Sequence, residues 1–89
     1  MEHKDWYLYV VECRDGTLYT GVSTDVLRRV HEHNHTSRGA KYTRTRGPVK
    51  LVWEKKYNNR SEAQSAEFKF KKLTRNKKWE TINGENNNA

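Results

Sequence analysis

At 89 residues the chain has the length of one domain. Eighteen lysines and arginines against eleven acidic residues give a net charge of +7 and a pI near 9.7, which implies an acidic partner, nucleic acid before membrane, since no long apolar run occurs. A single cysteine, Cys13, excludes an intramolecular disulfide and any multi-cysteine zinc site; no signal peptide or targeting segment opens the chain, so a cytoplasmic location is the expectation.

The stretch Trp6 to Gly21, WYLYVVECRDGTLYTG, reads as a β-hairpin of aromatic and β-branched residues around Arg14-Asp15-Gly16. Its register decides what it can do. A two-residue turn at Asp15-Gly16 would put Tyr9 and Tyr19 on opposite faces. A three-residue loop with Gly16 in the left-handed conformation instead sets Tyr9 opposite Gly21 and Val11 opposite Tyr19. The hydrophobic pattern favours the three-residue loop. One face then carries Trp6, Leu8, Val10, Leu18 and Val22 as a core. The other carries Tyr7, Tyr9, Val11 and Tyr19 around the gap left by Gly21, and has the look of a site.

After Val22, Ser23 or Thr24 is expected to cap a helix with Asp25 in its first turn, and Val26, Leu27 and Val30 mark its buried face. Arg29 and His33, four residues apart, share one side of that helix and flank the apolar stripe. His31, His33 and His35 do not read as a metal site, because alternate helical positions diverge by about 200°. From Thr36 to Lys50 (TSRGAKYTRTRGPVK) the glycines and proline predict a loop. Arg38, Lys41, Arg44 and Arg46, with Tyr42 among them, suit contacts to a phosphate backbone and one stacked base.

Val49 to Tyr57 is expected to be the third strand, with Val49, Leu51 and Trp53 alternating against Lys50, Val52 and Glu54. Asn58-Asn59 turns the chain, and Ser61 with Gln64 forms a capping-box pattern for a second helix. Its core stripe is Ala63, Ala66, Phe70 and Leu73. Glu67 lies on the flank of that stripe. A carboxylate there needs a partner, either a salt bridge or a divalent cation, and residue types alone do not choose between them. Thr74 caps a last short helix that directs Trp79 and Ile82 inward and ends at Gly84, with residues 85–89 as a disordered tail. The expected architecture is a single α+β domain over 1–84, a three-stranded antiparallel sheet flanked by three helices.

Tyr7-Leu8-Tyr9, a short turn, and Tyr19-Thr20-Gly21 resemble the paired motif of the GIY-YIG nuclease domain. Arg29, His33 and Glu67 follow in the family's order. The stretches Gly39 to Arg44 and Leu73 to Arg75 resemble those of its small single-domain bacterial members. Tyr7, Leu8 and Thr20 depart from the motif; both tyrosines and Gly21 match it. The resemblance implies metal-dependent endonuclease hydrolysis of phosphodiester bonds in DNA. Glu67 would hold one Mg²⁺ or Mn²⁺, Arg29 would bind the scissile phosphate, and Tyr9 and Tyr19 would orient the water, one of them as general base. His33 would bond a tyrosine or phosphate, and Gly21 would let substrate approach. The absence of an acidic cluster limits any metal mechanism to one metal, and the absence of a phosphate-binding Gly-rich loop argues against a nucleotide triphosphatase. The rival reading is a nucleic-acid-binding module with little or no cleavage. A third is an adaptor that meets a protein partner through the aromatic face, which the charge excess disfavours.

Overall fold

The computed structural model describes residues 4–35 and 47–86, except for the side chains of residues 85 and 86. Within them lie β1 (Trp6–Cys13), β2 (Leu18–Ser23), α1 (Val26–His35), β3 (Val49–Tyr57), α2 (Arg60–Lys71) and α3 (Arg75–Asn86). The strands form one antiparallel sheet in the order β2-β1-β3, the expected α+β architecture. Among the described residues no helix is long and apolar enough to cross a membrane.

The hairpin has the register that its alternation predicts. Tyr9 pairs with Gly21 and Val11 with Tyr19, and residues 14–16 form a three-residue loop closed by Gly16 N–H donating to the Cys13 carbonyl at 2.8 Å. Gly16 has φ +86°, a conformation that side chains with a Cβ resist. The Asp15 carboxylate accepts from both the Thr17 N–H and its hydroxyl, at 3.1 and 2.6 Å.

β1 is the central strand, and each of its faces is buried. Leu8 and Val10 meet Trp53, Phe70 and Ile82, with Leu18, Val22, Ala66 and Trp79 partly buried against them. Tyr9, Val11 and Cys13 meet Val26 and Val49, with Tyr7, Tyr19, Val30 and Leu51 around them. The face expected to be a site is therefore also a second core, covered by α1, while α2 and α3 cover the first. Trp6 stays half-buried at the margin, beneath the Arg60 guanidinium 5.4 Å from its ring centroid.

Several expectations need correction. The alternation of β3 breaks at a bulge, because Val10 pairs with Trp53 but Val11 pairs with Leu51. The extra residue sends Val49 and Leu51 to the tyrosine side and Trp53 to the other, whereas strict alternation put all three on one face. Leu27 is 76% exposed; the buried stripe of α1 runs through Val26, Val30 and His33 instead, at helical spacing. Leu73 lies beyond the end of α2 and is exposed.

The caps shift as well. Asp25 is the N-cap of α1, its Oδ1 accepting the Arg28 N–H at 3.1 Å, while Ser23 Oγ accepts the Asp25 N–H. Asn59 caps α2 by accepting the Glu62 N–H at 2.8 Å, and Glu62 in turn accepts the Asn58 N–H. This reciprocal pair begins two residues before the expected Ser61–Gln64 box. Thr74 caps α3 as expected, accepting the Lys77 N–H. Gly84 does not end α3, which continues through Asn86; of the tail, residues 87–89 lie outside the described residues.

Candidate active site

The site grows from the pairing of Tyr9 with Gly21. A Cβ at position 21 would stand 2.6 Å from the Tyr9 hydroxyl oxygen and 2.7 Å from Cζ. The phenol ring therefore lies directly over the glycine and fills the gap that the alternation left. Gly21 is buried beneath it, so the expectation that substrate approaches this glycine is replaced by a packing role. Tyr9 itself is 1% exposed.

Two α1 residues converge on that phenol. His33 Nε2 is hydrogen-bonded to the Tyr9 hydroxyl at 2.9 Å in a buried setting, in a direction that follows the imidazole tautomer. His33 belongs to the buried stripe itself, at 4% exposure, and does not flank it as the spacing suggested. Arg29 sits at the margin of the stripe, where its charge acts on the Tyr9 phenol, and reaches Glu32 at 3.0 Å through Nη1. The Tyr19 ring stands edge-on to His33 with centroids 5.4 Å apart.

Burial dominates the electrostatics of the pair. It pushes the Tyr9 phenol up to about 12, against the pull of Arg29, and the charges of Tyr19 and Glu67 push the same way as burial. It pulls the His33 imidazole down to about 4, helped by the Arg29 charge and opposed by Glu32. Burial also works against the Arg29 charge, but its bond to Glu32 and its interaction with Tyr9 prevail and raise its pKa. At neutral pH the centre thus holds a neutral phenol, a neutral imidazole and a fixed guanidinium. His33 is no cation for a phosphate.

Glu67, on α2, acts on the same phenol through its charge. Its carboxylate keeps 20% of its surface and takes Lys71 Nζ at 3.2 Å across one turn of helix. Among the described residues no three His, Cys, Asp or Glu side chains converge as metal ligands, so Glu67 would be one protein oxygen on any cation. Mg²⁺ fits such a donor, since it keeps several waters and takes one or two carboxylates together with substrate phosphate. The structure thus brings Tyr9, Tyr19, Arg29, His33 and Glu67 into one electrostatic unit. Arg38, Lys41, Tyr42, Arg44 and Arg46 lie outside the described residues.

Two contributors escaped the sequence reading. Glu32 anchors Arg29, and its only signal was the three-residue spacing on one helix. Asn34 bridges α1 to β3, its Oδ1 accepting the Val49 N–H at 2.7 Å and its Nδ2 donating to the Val49 carbonyl at 3.1 Å. Nothing in the local pattern marked it.

Comparison with known proteins agrees with this fold. The model of the GIY-YIG catalytic domain matches residues 5–83. A UPF0213 protein of Streptococcus agalactiae is 57% identical over 72 residues, covering 81% of each chain. Another, from Desulfotalea psychrophila, is 48% identical over 73 residues, which span 82% of this chain but only 66% of that protein. The solution structure of a protein from E. faecalis superimposes with a TM-score of 0.62 at 41% identity, covering 100% of this chain and 96% of that one. That of a UPF0213 protein from Bacillus halodurans gives 0.57 at 43% identity, covering 89% and 83%. With the family model matched over most of its length and relatives of up to 57% identity, the chain belongs to the GIY-YIG nuclease family, among its small UPF0213 members.

Proposed function

We propose that this protein is a divalent-metal-dependent endonuclease that hydrolyses phosphodiester bonds in DNA. The observation that carries the reading is the Tyr9 phenol hydrogen-bonded to His33 while the charges of Arg29, on the same helix as His33, and of Glu67, on another element, both act on it. Such an arrangement exceeds what a core needs, because buried polar groups are costly unless each is satisfied.

Arg29, anchored by Glu32, offers a fixed guanidinium to the scissile phosphate, where losing a preorganised donor costs about 10²–10³ in rate. Tyr9 keeps its proton in the resting site and, with its hydroxyl immobilised, orients what binds beside it. Tyr19 is only half-buried and is the phenol better placed to meet a water. His33, neutral and reluctant to take a proton, fixes the Tyr9 hydroxyl and does not relay charge. Glu67 would hold Mg²⁺ or Mn²⁺, which when bound supplies charge neutralisation at the phosphoryl and leaving oxygens.

One observation favours the rival reading, a binding module. A phenol at about 12, with 1% exposure, is far from a base at neutral pH. Cleavage assays with Mg²⁺ or Mn²⁺ on single-stranded, duplex and branched DNA decide between the two. For the enzyme, Glu67→Gln abolishes metal-dependent cleavage by orders of magnitude and keeps metal-free binding. Its melting temperature moves little, because the i,i+4 pair it breaks has an exposed lysine and such helix pairs contribute about 0.3–0.5 kcal/mol. Wild-type protein that binds every substrate and cuts none is the module.

A further inference from the structure

Next to Glu67 on α2 stands Phe68, 62% exposed. A single exposed apolar side chain is ordinary. Its neighbourhood is less so. The Lys72 ammonium lies 4.2 Å from the ring centroid, and Lys71, three residues on and thus beside Phe68 on the helix surface, holds the Glu67 carboxylate at 3.2 Å. Lys69, Lys71 and Lys72 are all exposed. An aromatic face, two ammoniums and the candidate cation-binding carboxylate therefore gather at the C-terminal end of α2, with Lys72 as its cap. A nucleotide has the matching parts: a base with a π-face and a phosphate on either side.

We propose that Phe68 is a base-stacking platform for an unpaired nucleotide next to the scissile phosphate, with Lys71 and Lys72 taking the flanking phosphates. The inference rests on the nucleic-acid reading of the site and adds a substrate class to it. A paired base has its faces covered by its neighbours in the duplex, whereas an unpaired one offers a face to the ring. Stacking on an aromatic side chain tolerates any base, so the preference is for strand state and not for sequence. Single strands, flaps and frayed ends are the favoured substrates.

The test uses the full chain without divalent metal, so that cleavage plays no part. The probes are a single-stranded oligonucleotide carrying 2-aminopurine and its complementary duplex. Phe68→Ala is expected to weaken single-strand binding about tenfold, to change duplex binding less than about twofold, and to abolish the quenching of 2-aminopurine. Phe68→Trp should restore both affinity and quenching, while Phe68→Leu, apolar but without a π-face, should restore neither. Melting curves verify that each variant is folded. Equal losses on both probes, or an unchanged single-strand affinity in Phe68→Ala, overturn the platform and leave the rest of the site standing. Wild-type protein that binds neither probe overturns the nucleic-acid reading and the platform with it. Wild-type self-association that Phe68→Ala abolishes, with DNA affinity unchanged, assigns the ring to contact between copies and also overturns the proposal.

Discussion

The Tyr9 oxygen has its position because residue 21 has no side chain. Gly21→Ala would bring a methyl to 2.6 Å from that oxygen and within 3.0 Å of Cε2, so the ring must leave its place. Overpacking of this kind costs about 1–3 kcal/mol, and the bond to His33 goes with it. We expect a lower melting temperature together with a loss of cleavage, checked by thermal unfolding and nuclease assay on one preparation. His33 gives a second, pH-dependent expectation. Its folded pKa is depressed, from 6.5 to about 4, so its contribution is complete above 6.5 and is lost as pH falls toward 4, where the unfolded chain takes up a proton that the folded one refuses. Melting temperature followed across that window should fall more steeply in the wild type than in His33→Gln.

Among the elements, the hairpin was legible because a period-two pattern admits only one register that gathers its apolar residues, and glycine at position 16 names the loop. The β3 bulge was not, since one extra residue changes no composition and only the pairing partner reveals it. His33 as part of a buried stripe was likewise hidden; a polar residue counts against an apolar face until a phenol on the facing strand is known to satisfy it. The start of α2 was read two residues late because Asn58, Asn59 and Ser61 all suit a cap, and the choice fell to where β3 ends. Asn59→Ala should therefore lower stability by about 1 kcal/mol, whereas Ser61→Ala, at an exposed position, should stay within about 0.5 kcal/mol. Paired melting measurements on the two variants check this. The same arithmetic bears on Glu67: with Lys71 solvated beside it, removing the carboxylate is a test of chemistry and not of folding.

At the scale of the molecule, helices cover both faces of a three-stranded sheet, and a chain with eighteen basic against eleven acidic residues has a neutral phenol–imidazole centre. A net charge of +7 favours a polyanion through the field of the whole molecule. β1 supplies Leu8 and Val10 to one apolar cluster and Tyr9, Val11 and Cys13 to the other. Neither cluster can melt without releasing the strand that anchors its opposite. Calorimetry should accordingly show one transition, with equal van't Hoff and calorimetric enthalpies; two separable transitions would mean that the sheet's faces come apart independently. A domain so built has no stable half-open form. Truncating Ile82 or Phe70, on the far side of the sheet from His33, should loosen the tyrosine as surely as a change beside it, and a selection for weaker activity would recover substitutions from both faces alike.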